Sequence, residues 1–176
     1  RNLNKLSREQ VDQFFERGYL IVDSVFEPDE LDPLIEEVDG QVRTSAKKFF
    51  EEGSLRSDYA EEPFERQLAR VHEESRDVGK AILAMIEGRG GGGQHGREMF
   101  RMITHPKLLA YLEDLIGEEI VGSSVFRLRP KLPNFKRGIV PWHQDSGYLK
   151  PKCDREMIVT CWVPLVDANA ANGCMR

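Results

Sequence analysis

The chain has 176 residues, of which 40% are hydrophobic and 31% charged, with a formal net charge of -5. That is enough for one domain with a real core, and the mild negative balance argues against nucleic acid or an acidic membrane as partner, since both select basic surfaces. No apolar run approaches the roughly 20 residues that span a bilayer, and the polar opening over residues 1–7 does not read as a signal peptide.

Ser7 with Gln10 three residues later reads as a capping box that opens a short helix, with Val11, Phe14 and Phe15 as its apolar stripe and Gly18 at its end. Tyr19 to Val22 is expected as a short strand. Residues 27–52 are helical in pattern, with Leu31, Leu34, Ile35 and Val38 on one face; Gly40 weakens that pattern, and Pro33 fits only within a first turn. Leu68, Val71, Val78, Ile82, Met85 and Ile86 recur at helical spacing, which predicts a single helix over 65–87. The loop 88–96 contains Gly90 to Gly93 but no GK[ST], so a phosphate cradle is not indicated.

Thr104 is expected to cap a further helix, with Pro106 in its first turn and Gly117 closing it. Leu108, Leu109, Leu112, Leu115 and Ile116 would form its buried face. From Glu119 the character changes. Residues 120–129, 139–145 and 157–166 are rich in β-formers and separated by Pro, Gly, Asn and Lys. The expected class is α+β in one domain over 1–176, with a helical part over 1–118 and a β-part over 119–176.

Cys153, Cys161 and Cys174 form no CxxC pair and are odd in number, which points to a reducing, cytoplasmic setting rather than a disulfide or zinc framework. Of the four histidines, His72 falls on a helix, His95 in the glycine loop and His105 at a helix start, all read as structural or solvated. His143 differs. Pro141 favours extended backbone before it, and on a strand His143 and Asp145 would point to one side while Trp142 and Gln144 face away. An imidazole and a carboxylate converging this way supply two ligands of a 2-His-1-carboxylate Fe(II) site. The spacing alone is not decisive, since His72 and Glu74 share it. That pair lies on a predicted helix, where residues two apart diverge.

The run from Val140 through Pro-Trp-His-Gln-Asp-Ser-Gly to Tyr148 resembles the metal motif of the phytanoyl-CoA dioxygenase family. Ile158 to Leu165 resembles that family's next strand, and Asp167 with Asn172-Gly173-Cys174 its following turn. Met99-Phe100-Arg101 and the 106–117 helix are similar to its approach to the barrel, and Gly18 to Val22 with Asp29-Glu30-Leu31 to its opening. The resemblance covers nearly the whole chain.

It implies a double-stranded β-helix, or jelly roll, fronted by helices. It also implies Fe(II) held by His143, Asp145 and a distal histidine, with 2-oxoglutarate and O₂ as cosubstrates and a small organic or acyl molecule as substrate. Val125 and Trp162 match positions that contact the cosubstrate, though core packing accounts for them equally well. Thr160 shares the expected strand face of Trp162, where it is placed to donate a hydrogen bond. Arg89 falls near a basic family position in the loop before the barrel. Arg127 and Arg129 alternate with Phe126 and Leu128, facing either an acidic ligand or solvent.

The family's distal histidine and its carboxylate-gripping basic residue have no counterpart before Arg176, and about four strand-like stretches do not close an eight-stranded jelly roll. The expectation is a jelly roll lacking its last strands, in a fragment that is inactive as given. A non-catalytic jelly-roll binding or structural module of the same family is the rival reading. A different metal-dependent jelly-roll enzyme is a third, but it would demand another histidine near His143. Substrate identity and oligomeric state are not legible.

Overall fold

The computed structural model describes residues 5–87, 95–124, 126–135 and 141–175. Among these residues the framework is six α-helices: α1 (Arg8–Arg17), α2 (Pro28–Glu51), α3 (Phe64–Glu74), α4 (Arg76–Ile86), α5 (Arg97–Ile103) and α6 (Pro106–Ile116). Short 3₁₀ turns follow at Asp145–Tyr148 and Pro151–Arg155.

The reciprocal cap of α1 forms as its residues dictate. Gln10 N–H donates to Ser7 Oγ at 3.2 Å, and Ser7 N–H to Gln10 Oε1 at 2.9 Å. Gly18, at φ 77°, supplies the left-handed turn that ends the helix. The entry to α1 is tied to α6, where Asp114 Oδ2 accepts the Leu6 N–H at 2.7 Å.

α2 is the spine. Leu34, Val38, Val42 and Ala46 recur every fourth residue and are all buried. The helix runs straight through Gly40, whose Cα faces open space. Pro33 sits beyond the first turn, one residue before the buried stripe begins, so the restriction expected from its missing N–H does not end the helix.

The single helix expected over 65–87 is two. Ser75 breaks it with an extended backbone, φ -136° and ψ 103°, and its Oγ accepts the Val78 N–H at 3.4 Å to start α4. The apolar stripe continues across the break because Leu68 and Val71 of α3 and Val78, Ile82 and Ile86 of α4 are buried in one cluster, while Met85 stays exposed. Gly79 permits the close approach of α3 and α4: a Cβ there would lie 2.7 Å from Cα, Cβ and Nδ1 of His72.

Two apolar clusters hang on the spine. One joins Val42, Ala46 and Leu55 to Val71, Ile82, Leu83 and Ile86 of the α3–α4 hairpin. The other joins Leu34 and Val38 to Met99 and Met102 of α5. Glu37 on α2 starts α5 by accepting the Glu98 N–H at 3.2 Å. Thr104 does not cap α6. It ends α5, donating its hydroxyl to the Phe100 carbonyl at 2.7 Å, while His105 Nδ1 accepts the Lys107 N–H at 3.3 Å in the cap position of α6. The expected apolar face of α6 is only half-buried; Ala110 alone is fully enclosed.

The jelly roll is overturned. Among the described residues there is no β-strand, neither at 19–22 nor across 120–129 or 157–166, and the described part of 139–145 is extended backbone followed by a 3₁₀ turn. Among the described residues, backbone hydrogen bonds outside the helices are local turns and caps, such as Cys174 N–H to Asn169 O, and none pairs two extended segments.

The physical reason lies in where the apolar side chains go. Phe126, Leu128 and Leu165 pack on the α2–α5 cluster, and Leu132 and Phe135 on the α3–α4 cluster, rather than on a facing sheet. β-Propensity extends the backbone, but a sheet exists only where a partner strand accepts its hydrogen bonds.

One turn in this region is sharply built. Phe135 N–H donates to Leu132 O at 3.3 Å, with Pro133 and Asn134 between them and Asn134 at φ 56°. Pro followed by a left-handed Asn is the pattern of a type II turn. It plants Phe135 edge-on against His72, with ring centroids 5.5 Å apart.

Candidate metal centre

His143 and Asp145 flank Gln144 at the point where extended backbone tightens into the Asp145–Tyr148 turn. The side chains converge although no strand carries them. His143 Nε2 lies 3.1 Å from Asp145 Oδ1.

The other ring nitrogen decides what that contact means. His143 Nδ1 lies 2.8 Å from the Pro141 carbonyl, which can only accept, so in the tautomer that satisfies this contact Nδ1 carries the proton and donates it. In the neutral ring of that tautomer Nε2 is an acceptor facing a carboxylate oxygen. Two acceptors at that distance need a cation between them, either a proton or a metal ion.

The spacing fits a metal. Two ligand atoms each about 2.1 Å from one ion and at right angles to each other lie about 3.0 Å apart. The Nδ1–H to carbonyl bond is also the device that fixes the tautomer of a metal-binding imidazole.

The second carboxylate oxygen is held from a distance in sequence. Thr160 Oγ1 donates to Asp145 Oδ2 at 2.5 Å across 15 positions. The hydroxyl expected on the strand face of Trp162 thus donates to the Asp145 carboxylate. This role and that of the Pro141 carbonyl were missed by sequence reasoning. The Pro141 contact, two residues away, is a local turn that the Pro-x-His spacing permits; nothing in the sequence marks the bond from Thr160 to Asp145.

Trp162, two residues on, is 42% exposed. Val125 and Arg89 lie outside the described residues, as do the glycines at 90–93. Arg127 and Arg129 are exposed, alternating with the inward Phe126 and Leu128.

The other histidines are engaged elsewhere. His72 is buried in the α3–α4 hairpin, and burial pushes its imidazole below the ordinary value, with Arg76 and Lys80 adding to the effect. His105 Nε2 lies 3.5 Å from Glu30, whose carboxyl is held below its usual range chiefly by the hydrogen bond from Lys107. His95 stands edge-on to Phe126. Among the described residues no group of three or more His, Cys, Asp or Glu gathers where it could hold a metal. The residues present thus fit two adjacent corners of a coordination sphere. An open groove between α2 and α4, lined by Glu37, Gly40, Thr44 and Met85 among others, holds none of the site residues. No helix is long and apolar enough to cross a membrane among the described residues.

Comparison with known proteins bears on the same residues. The family model described as phytanoyl-CoA dioxygenase (PhyH) matches residues 14–176. The human protein named peroxisomal phytanoyl-CoA dioxygenase is 30% identical over 83 residues, which is 47% of this chain and 24% of that protein. The chain therefore matches about a quarter of the length of this curated relative. No solved structure matches it. With the match running through the His143–Asp145 turn to the end of the chain, the chain belongs to the phytanoyl-CoA dioxygenase family.

Proposed function

We propose that this chain supplies the His143 and Asp145 ligands of an Fe(II)- and 2-oxoglutarate-dependent dioxygenase that hydroxylates a small organic or acyl substrate. The observation that carries the reading is the Nε2–Oδ1 bite of 3.1 Å, with Nδ1 committed to the Pro141 carbonyl. Family membership supports the class of chemistry. The relative's name makes an acyl thioester the first substrate class to try.

His143 presents its Nε2 lone pair, and Asp145 adds a negative oxygen beside it. Together they form a hard, mixed N/O donor pair of the kind that suits Fe(II) and leaves positions open. Iron bound there supplies the oxidising chemistry, in which substrate R–H, 2-oxoglutarate and O₂ become R–OH, succinate and CO₂. Trp162 offers an exposed aromatic face on the segment that carries Thr160, suited to packing on the cosubstrate's apolar chain.

One observation favours a second reading, a family module that binds without turning over: the described residues bring no third ligand to the pair. Succinate release from 2-oxoglutarate under air by the full-length protein separates the two. The oxygenase reading expects release that is iron-dependent and abolished by His143→Ala. Release unaffected by that change, or none at all from iron-loaded protein, contradicts it.

A further inference from the structure

We infer that Thr160 is a positioning residue for the metal site, holding Asp145 as a one-oxygen ligand. The inference rests on the metal reading above and goes beyond it.

A carboxylate on a surface turn rotates freely about its last bond, and either oxygen, or both, can meet a cation. Asp145 is half-exposed, and burial does not hold it. Its Oδ2 instead accepts the Thr160 hydroxyl at 2.5 Å, a short, charge-assisted bond in which the hydroxyl must be the donor, because a carboxylate has nothing to donate. With Oδ2 taken, Oδ1 is the oxygen left beside His143 Nε2.

Two consequences follow. The plane of the carboxylate is set by a residue 15 positions away, on the extended segment that also carries Trp162. The ligand also occupies one coordination position rather than two, leaving an extra position for exogenous oxygen donors. Threonine suits the task because its branched Cβ restricts the rotation that aims the hydroxyl. His143 has its own, local support from Pro141. The two ligands are therefore braced independently, and Thr160 couples the 157–166 segment to the turn.

The test is titration of the full protein with Co(II), following both affinity and the visible ligand-field spectrum, in wild type and in Thr160→Val, Thr160→Ala and Thr160→Ser. Loss of such an outer partner weakens metal binding about 10–100-fold. The expected result is that loss in the Val and Ala variants, with a changed spectrum as Oδ2 becomes free to coordinate. Thr160→Ser, which keeps the donor, should restore both affinity and spectrum to near wild type. Thermal melting of the metal-free proteins should be nearly unchanged, since the site is exposed.

Wild-type affinity and spectrum in both Val and Ala variants would overturn the positioning role alone. The same holds if Ser behaves like Val. Absence of Co(II) binding by wild type, or binding that survives His143→Ala, would instead overturn the metal reading and the inference with it.

Discussion

Replacing Gly79 by alanine tests how the helical half is packed. The added methyl would lie 2.7 Å from His72 Cα, Cβ and Nδ1. One of those atoms is backbone, so a side-chain rotation cannot relieve the clash, and α3 and α4 must part by about 0.7 Å to reach ordinary contact. Overpacking costs about 1–3 kcal/mol, and a clash with backbone belongs in the upper part of that range, about 2–3 kcal/mol. Alanine returns about 1 kcal/mol through its better helix propensity. The net loss is about 1–2 kcal/mol, and for a chain of this length the melting temperature should fall by about 2–8 °C.

Gly40→Ala is the matched control. It makes the same chemical change inside α2 at a position with nothing within 4 Å, and it should gain about 0.5–1 kcal/mol. Thermal melts followed by circular dichroism on both variants give the two signs directly. A Gly79→Ala protein as stable as wild type, or a destabilised Gly40→Ala protein, would refute the packing argument.

Ser75→Ala removes the cap that separates α4 from α3; it should cost about 0.5–1 kcal/mol by urea midpoint, at the low end for caps because the bond is long at 3.4 Å. Trp162→Ala should change stability by about 0.5 kcal/mol, as at a surface position, and a loss near the 3–5 kcal/mol of a core aromatic would show that the ring is structural. The His72 imidazole is held below its ordinary value of 6.5, so near and below that pH the unfolded chain binds more protons than the folded one. Stability from this residue is complete above 6.5 and declines as pH falls from 6.5 toward the folded value; melting temperature against pH should show that limb in wild type and a flatter one in His72→Gln, and identical limbs would remove His72 as the cause. Asp145→Ala should abolish metal binding while moving the melting temperature by no more than a surface change does, because the side chain is half-exposed.

Features written in a few neighbouring residues were legible. The Ser7–Gln10 box and Gly18 open and close α1 as read, and Pro106 and Gly117 bound α6. Reading failed where a longer-range choice intervened. The stripe from Leu68 to Ile86 has helical period throughout, so periodicity does not reveal that Ser75 folds it into a hairpin. Thr104 and His105 are adjacent candidates for one cap, and the competing end of α5 takes the threonine.

The β-region shows the limit most clearly. Alternation is real at Phe126–Arg129, inward and outward in turn, yet the inward residues meet helices, and alternation alone does not specify a partner strand. At the site, the His-x-Asp spacing led to the expectation that His143 and Asp145 converge on a strand face, and their side chains do lie 3.1 Å apart. Convergence comes from a turn entering a 3₁₀ helix rather than from a strand face. Thr160 was singled out for its neighbour Trp162, while its bond is to a carboxylate 15 residues earlier, a contact only the fold creates.

Anaerobic titration with Fe(II) of the full-length wild type, His143→Ala and Asp145→Ala proteins tests the central claim most directly. One ion per chain in wild type, with binding lost in each variant while the circular dichroism spectrum is retained, is the predicted result. No iron bound by wild type, or binding that persists in both variants, would contradict the assignment of this turn as a metal centre.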